Sequence, residues 1–218
     1  MVLERLPGQD LGLVFARLDD EQRRAVARSV AQVQLRVGGT GPGNGYGYSA
    51  DPARRPPLAS WPDVVLENLR RSGTRLQASA EVRGLHARVL QRTADLRGEL
   101  AAVPPTPFLD DLTTKNVIVD DGRFAGIVDV DVVCFGDPLL APALTRVALV
   151  SAHQPTGYVE EWLRAVGAVP GPAYDLYCAV FCLDLLSEDG LAFNRDEPVT
   201  VDAARAERLI ALAGEVLG

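Results

Sequence analysis

A predicted β-hairpin is the feature that most constrains the fold of this chain. Two short runs rich in β-branched residues, 116–119 and 124–129, are separated by the turn sequence Asp-Asp-Gly-Arg at 120–123. β-Branched residues favour strands, and Asp-Gly favours a tight reversal of the chain. A turn centred on 121–122 or on 122–123 would pair residues whose numbers sum to about 243 or 245. Either register places Asn116 beside or diagonal to Asp129 at the open end of the hairpin.

A third polar side chain is expected at the same end. Asp111 lies five residues before Asn116, and the polar loop 112–115 between them is long enough to return its carboxylate. Magnesium prefers oxygen ligands, and a hydroxyl that attacks a phosphate needs an acceptor for its proton. The set therefore indicates phosphoryl transfer, in which Asn116 and Asp129 hold Mg²⁺ and Asp111 takes the proton.

The ordered series of motifs resembles the aminoglycoside phosphotransferase and choline kinase family, the small-molecule branch of the protein-kinase-like fold. The matching motifs are Asp111 with Asn116 after four residues, Asp129 after the hairpin, and Gly-Asp-Pro at 136–138. Weaker matches cover nearly the whole chain, at 3–8, 45–48 with 60–61, and 191–193. The resemblance implies an α+β, mainly α fold: the helical C-terminal lobe of such a kinase, with a small β-hairpin that carries the active site.

The same resemblance implies an organisation and an activity. Within a single lobe, 1–218, it predicts a hinge at 1–8, a helical subdomain at 9–107, the catalytic loop and hairpin at 108–138, and a helical substrate subdomain at 139–218. ATP would place its adenine on the hinge, with Glu4 and Leu6 as cofactor-binding residues. The expected reaction is ATP- and Mg²⁺-dependent transfer to a hydroxyl of an aminoglycoside-like, macrolide or other small-molecule acceptor.

The chain also departs from the family pattern. Leu109-Asp110 stands where the family has His-Gly, and Ala141 stands where an acidic residue usually follows Gly-Asp-Pro. The first change places two carboxylates next to each other, which is expected to raise the pKa of one of them.

The N-terminus is the largest departure, because Met1 aligns with the hinge and the family's phosphate-covering lobe precedes it. The glycine-rich segment 38–48 matches neither common phosphate-loop spacing and is expected to be a flexible loop. Three explanations stay open: an internal methionine of a longer reading frame, a lobe supplied by another chain, or a catalytically inactive binding or regulatory scaffold. A missing lobe would leave apolar residues without partners and favour a homo-oligomer or a partner chain; the candidates are Val2, Leu3, Leu11 and Val14.

Composition limits the other function classes. The chain has 218 residues, 47% of them hydrophobic, and a formal net charge of -7. Nucleic acids and anionic membranes usually bind clustered Lys and Arg, so neither partner is expected. The chain has no apolar run that could span a membrane and no secretory signal pattern, so a cytoplasmic protein is expected. Cys178 and Cys182 lie far from both histidines in the sequence, which favours buried thiols over a zinc site.

The apolar spacing predicts the helices. One begins at 19–20, a second begins after Ser60, and a third runs through 80–102; later helices are expected near 138–152, 157–167, 172–188 and 201–217. Three other polar residues receive interpretations. Asp137 is expected to cap the following helix, Asp131 is a candidate for a second metal contact, and Lys115 is expected to be an exposed turn residue.

Overall fold

A computed structural model describes residues 5–51, 54–76, 80–189, 191 and 202–218. The helices of this part of the chain are α1 (Leu11–Val14), α2 (Asp20–Gly38), α3 (Trp61–Arg75), α4 (Ala80–Asp95), α5 (Arg97–Ala101), α6 (Leu140–Ser151), α7 (Gly157–Ala165), α8 (Pro172–Ser187) and α9 (Ala203–Leu217). The strands are β1 (Gln9–Asp10), β2 (Gly47–Ser49), β3 (Thr106–Phe108), β4 (Val117–Asp120), β5 (Arg123–Ile127) and β6 (Val133–Gly136). The predicted α+β, mainly α class is confirmed.

The helix predictions are largely confirmed. A reciprocal capping box opens α2, because Asp19 accepts from the backbone N–H of Gln22 while the Gln22 side chain accepts from that of Asp19. The single helix predicted over 80–102 is wrong in one respect: it is interrupted at Leu96, whose ψ of 6° is not helical. The helices α6 to α9 begin and end within about two residues of their expected limits.

The strands form two antiparallel sheets of three strands each, where the sequence had predicted one hairpin. The first sheet has the order β1-β4-β5 and contains the predicted hairpin; the second has the order β2-β6-β3. Gly47–Ser49 pairs with Val133–Gly136, so the expectation of a flexible loop over 38–48 is wrong for its last residues. Two strands of the second sheet flank the candidate site residues in the sequence, since β3 ends at Phe108 and β6 begins at Val133.

The hairpin turns at Asp121 and Gly122, both of which have positive φ, at 46° and 72°. This is the geometry of a type I′ turn, which explains the glycine. Pairing shifts between Ile118 and Val119, because Val119 pairs with Phe124 while Ile118 pairs with Gly126. The residue skipped between them, at 125, is therefore the extra residue of a β-bulge. The bulge brings position 116 opposite position 128, one residue nearer to 129 than the unshifted register would.

The core centres on α8, which is buried nearly all round and packs against α3, α4, α6 and α9. The three cysteines of the described residues are buried free thiols, as expected for Cys178 and Cys182. The expectation that Leu11 lacks partners is wrong: it is 0% exposed within the core, whereas Leu13 is 70% exposed. Val14 is partly buried against the same core.

Some of the predicted positions lie outside the described residues. They include Val2 and Leu3, which were expected to lack partners, the predicted nucleotide contact Glu4, and 192–193 of the weak motif match at 191–193.

No helix in the described part of the chain combines the length and the apolar character needed to span a bilayer.

Candidate active site

Asp111 and Asn116 are joined by the loop between them. The side-chain Nδ2 of Asn116 donates to the backbone carbonyl of Asp111 over 2.8 Å. The Thr113 hydroxyl donates to Asp111 Oδ1 over 3.1 Å, and Asp111 is exposed. Since the amide nitrogen of Asn116 is engaged, its Oδ1 remains an acceptor for another group. The loop thus presents a carboxylate and an amide oxygen together.

Asp129 follows the second strand of the hairpin and lies next to this loop. The backbone N–H of Val128 donates to the carbonyl of Asn116 over 3.0 Å, which extends the pairing beyond β4 and β5. Asp129 is the next residue, is exposed, and has a φ of 57°. The left-handed conformation ends the strand and turns the chain away from the hairpin. The structure thus brings the backbone positions of all three predicted residues to the open end of the hairpin.

The donor set suits a hard cation. Asn116 and Asp129 offer oxygen atoms, and Mg²⁺ in phosphoryl-transfer sites commonly takes only one or two protein ligands, with phosphates and water completing the octahedron. No group of three His, Cys, Asp or Glu side chains within the described ranges is placed to hold a metal ion. Asn116 and Asp129 therefore fit a magnesium ion whose other ligands would be nucleotide phosphates and water. They do not form a site in which every ligand comes from the protein.

Asp110 lies in the loop directly before Asp111 and is half-buried. Burial raises the pKa of this carboxyl to about 6, and the neighbouring Asp111 adds a smaller upward effect. The expected rise in pKa for one of the adjacent carboxyls is therefore present, but its main cause is burial.

A set of polar side chains from β2 and α3 lies near Asp110. Asn68 donates to the Tyr48 hydroxyl over 3.3 Å. Arg71 donates to the Asn68 side chain and lies 5.9 Å from the centre of the Tyr48 ring. The Arg71 charge lowers the pKa of Asp110, but this effect is smaller than that of burial.

Asp137 performs a structural role. Its Oδ1 accepts from the backbone N–H of Leu139 over 2.9 Å; Leu139 itself is the N-cap of α6, so Asp137 supports the turn that leads into the helix and is not its cap, contrary to the expectation. Its Oδ2 accepts from the Tyr177 hydroxyl, which in turn accepts from the Trp61 indole N–H over 2.7 Å. Burial raises the pKa of Asp137 above its usual range. This buried chain of hydrogen bonds fixes the segment that follows the hairpin to α3 and α8.

The predicted nucleotide residues are only partly observable. Glu4 lies outside the described residues. Leu6 is half-buried, and a Cβ placed on Gly126 would lie 2.5 Å from Leu6 Cδ1, so the absence of a side chain at 126 permits this contact. Lys115 and Asp131 are both exposed, as expected for the turn lysine.

A groove of the described residues lies elsewhere in the fold. It measures about 650 Å³ and is formed by the start of α2 and the turn of the hairpin, where Asp19, Gln22 and Gly122 are among its lining residues. This is the end of the hairpin opposite to Asn116 and Asp129, so the groove does not belong to the candidate active site.

Sequence reasoning missed the residues that support the loop. Gln34 of α2 bonds the backbone of Leu109. The Thr145 hydroxyl of α6 donates to the carbonyl of Leu112 over 3.1 Å, and the Gly12 N–H donates to the carbonyl of Thr114 over 2.9 Å. Gln34 lies among the buried residues of α2. A polar residue on an otherwise apolar helix face was the one signal that could have identified it.

Comparison with known proteins identifies a matching family and several similar folds. A model of the phosphotransferase enzyme family matches residues 1–177. A solved structure of a thermostable mutant of aminoglycoside phosphotransferase APH(4)-Ia has a TM-score of 0.70 at 18% identity, with 98% of this chain and 70% of that one covered. A further mutant of the same enzyme, solved as a ternary complex with AMP-PNP and hygromycin B, gives 0.66 at 19% identity, covering 98% of this chain and 70% of that one.

A choline kinase is also similar in fold. LicA from Streptococcus pneumoniae has a TM-score of 0.57 at 12% identity, and the alignment covers 100% of this chain and 68% of that one. A comparison with curated proteins gives no match. The family model covers most of the sequence, and its span includes the catalytic-loop motif, the hairpin and the Gly-Asp-Pro motif. The chain belongs to the phosphotransferase enzyme family.

Proposed function

We propose that this chain takes part in ATP- and Mg²⁺-dependent phosphoryl transfer to a hydroxyl group of a small molecule. The observation that carries the proposal is the arrangement at the open end of the hairpin. Asn116 is fixed to the backbone of Asp111 through its nitrogen, and Val128 pairs with Asn116 immediately before Asp129. The proposed general base and the two proposed metal ligands therefore come from one continuous stretch of chain.

Asp111 is the proposed general base. Its Oδ1 accepts from Thr113, and its exposed carboxylate keeps acceptor capacity for the proton of an acceptor hydroxyl. Asn116 Oδ1 and the Asp129 carboxylate are the proposed Mg²⁺ ligands. A bound magnesium ion would neutralise charge on the transferred phosphate. The residues themselves orient the hydroxyl, accept its proton and hold their oxygens toward the phosphate side of the site.

The proposed nucleotide contacts are Glu4 and Leu6. Leu6 packs against Gly126 of β5, so it presents an apolar side chain on the hairpin near the site. Small-molecule sites are lined mainly by apolar side chains, with a few polar groups that fix orientation. The solved relative that contains AMP-PNP supports a nucleotide as the phosphoryl donor.

The proposed acceptor is a polar small molecule that carries hydroxyl groups and positive charge. The ternary structure of a relative with hygromycin B supports an aminoglycoside-like acceptor. The chain's net charge of -7 and the Asp110 carboxyl adjacent to Asp111 favour a cationic over an anionic acceptor.

The proposal is tested by measuring transfer of labelled γ-phosphate from ATP to a panel of aminoglycosides, amino alcohols, macrolides and sugars. Asp111→Asn keeps the shape of the side chain but removes the base, so product formation should fall by about 10²- to 10⁴-fold. Asp120→Asn is the matched control, because Asp120 is an exposed aspartate near the turn of the same hairpin. Equal loss in both variants, or undiminished transfer by Asp111→Asn, would contradict the proposed base.

A further inference from the structure

The described part of the chain contains an unusual buried contact just before Asp111. Gln34 is 5% exposed. The nitrogen and the oxygen of its side-chain amide both form hydrogen bonds with the backbone of one residue, Leu109. Nε2 donates to the Leu109 carbonyl over 2.7 Å, and Oε1 accepts from the Leu109 N–H over 3.0 Å. The side chain therefore copies the pair of hydrogen bonds that a neighbouring β-strand would make.

The contact joins a rigid helix to the loop. Gln34 and Leu109 are 75 residues apart in the chain. Gln34 lies on the buried face of α2, close to Val30 and Ala31, and α2 packs along α7. The position of the Leu109 backbone is thus set by a packed helix, through two hydrogen bonds of ordinary length.

The side chain of Leu109 cannot fix the position of its own backbone by hydrogen bonding. Leucine has no hydrogen-bonding group, and Leu109 is buried, so its N–H and carbonyl need partners from elsewhere in the protein. Beyond Asp111 the loop has other supports, from Thr145 at Leu112 and from Gly12 at Thr114. Gln34 supplies the side-chain support on the upstream side, two residues before the proposed base.

We infer that Gln34 is a positioning residue for phosphoryl transfer: it holds the backbone of Leu109 so that the Asp111 carboxylate stays where an acceptor hydroxyl can reach it. Gln34 touches neither the reacting atoms nor the nucleotide, and it acts through the loop. The inference rests on the proposed function for its chemical meaning, while its structural part can be measured without turnover.

The test compares the parent with Gln34→Met, which keeps the approximate volume of the side chain but removes both hydrogen bonds. Native-state hydrogen exchange is followed at three backbone amides that report on the loop without contacting Gln34. They are the amides of Gly12, Asn116 and Val128, which donate to the carbonyls of Thr114, Thr113 and Asn116 respectively. We expect these amides to exchange about tenfold faster in the variant.

The control is Thr93→Val, which removes a buried hydroxyl that donates to the Val89 carbonyl within α4. It is expected to lower global stability without a selective effect on the three amides. If Gln34→Met does not fold, Gln34→Asn, which is polar but too short to span to Leu109, takes its place. Exchange that is unchanged at the three amides, with only the Leu109 amide accelerated, would overturn the positioning role.

Turnover supplies the second readout. With an acceptor in hand, the Gln34 variant should lose about 10²-fold in kcat while KM for ATP changes little, because a misplaced base affects the chemical step more than nucleotide binding. An unchanged kcat beside faster loop exchange overturns the role in catalysis. A parent without detectable transfer contradicts the proposed function instead, and the exchange data then still decide whether Gln34 holds the loop.

Discussion

The 109–116 loop and the 128–132 segment carry residues of the same candidate site but are supported very differently. Side-chain or backbone groups of α1, α2 and α6 hold the loop, at 114, 109 and 112 respectively. The 128–132 segment is linked to the loop by the backbone bond from Val128 to Asn116. Val130 and Val132 are 48% and 37% exposed. The proposed base Asp111 therefore lies on a loop that several helices hold in place, whereas the proposed metal ligand Asp129 lies on a lightly supported segment.

This difference has a physical interpretation. A general base must be oriented before the acceptor arrives, since small displacements reduce the rate of proton transfer. A carboxylate that binds a metal together with a nucleotide can be fixed by the ion itself, as Mg²⁺ imposes its own octahedral geometry. The two halves of the site are therefore expected to respond differently to mutation.

The largest expected effect is on the rate of phosphoryl transfer, after mutation in the lightly supported 128–132 segment. Asp129→Ala removes a proposed metal ligand, so phosphoryl transfer should fall by about 10³-fold or more, with the unfolding midpoint in urea almost unchanged. Asp131→Ala removes the exposed aspartate two residues later and should cost about tenfold or less if Asp131 is only a second contact. Rates are measured at saturating ATP and Mg²⁺. A larger loss in Asp131→Ala would mean that Asp131, and not Asp129, is the principal ligand.

The next largest effect is on the pH dependence of stability and concerns Asp110, in the well-supported 109–116 loop. Burial raises its pKa from 3.8 to about 6, so the folded protein binds this proton more tightly than the unfolded chain. The stability from the neutral acid is complete below the unfolded pKa and is lost as pH rises through about 6. Asp110→Asn is uncharged throughout. Relative to the parent, its free energy of unfolding should therefore rise by about 1–2 kcal/mol between pH 4 and neutral pH. Urea denaturation at both pH values measures this, and a difference that does not vary with pH would refute it.

A matched pair of valine and threonine exchanges compares the two regions directly. Thr145→Val removes a buried hydroxyl whose single proton is shared between the carbonyls of Leu112 and Ala141, each 3.1 Å away, and should cost about 1–2 kcal/mol of unfolding free energy. Val132→Thr makes the reverse change on an exposed side chain and should stay within about 0.5 kcal/mol. Both free energies are obtained from urea denaturation, and similar costs would show that the regions are equally supported.

The smallest effect tests the backbone at position 129. The φ of 57° is in the left-handed region, where a Cβ is unfavourable by about 1–2 kcal/mol. Asp129→Gly should therefore be about 1 kcal/mol more stable than Asp129→Ala, although both lose the carboxylate. Urea denaturation of the two variants side by side measures the difference. If the alanine variant is as stable as the glycine variant, the conformation at 129 is not held in the folded protein.

The hairpin and the backbone proximity of Asp111, Asn116 and Asp129 could be predicted from the sequence because they are local features. Turn residues and β-branched runs act within a few positions, so 116–129 could be assigned from its own composition. The bulge at Ala125 was not predictable in this way, since it depends on how β5 pairs and packs.

The second sheet and the support of the loop depend on residues far apart in the chain. The strands β2, β3 and β6 have only three or four residues each, too few for a periodic signal. Gln34 can form its hydrogen bonds with Leu109 only after α2 has packed in the folded protein. Leu11 was expected to lie on an uncovered surface, whereas the described core covers it. Burial of this kind arises from tertiary packing, which local sequence patterns do not encode.

The proposed metal site is best tested by calorimetric titration of the protein with ATP, with and without Mg²⁺, for the parent, Asp129→Ala and the matched control Asp120→Ala. Mg²⁺ should strengthen ATP binding to the parent and to Asp120→Ala, and this gain should be lost in Asp129→Ala. Binding that is independent of Mg²⁺ in all three proteins, or no binding at millimolar ATP, would contradict the assignment of Asn116 and Asp129 as the metal ligands of a phosphotransferase.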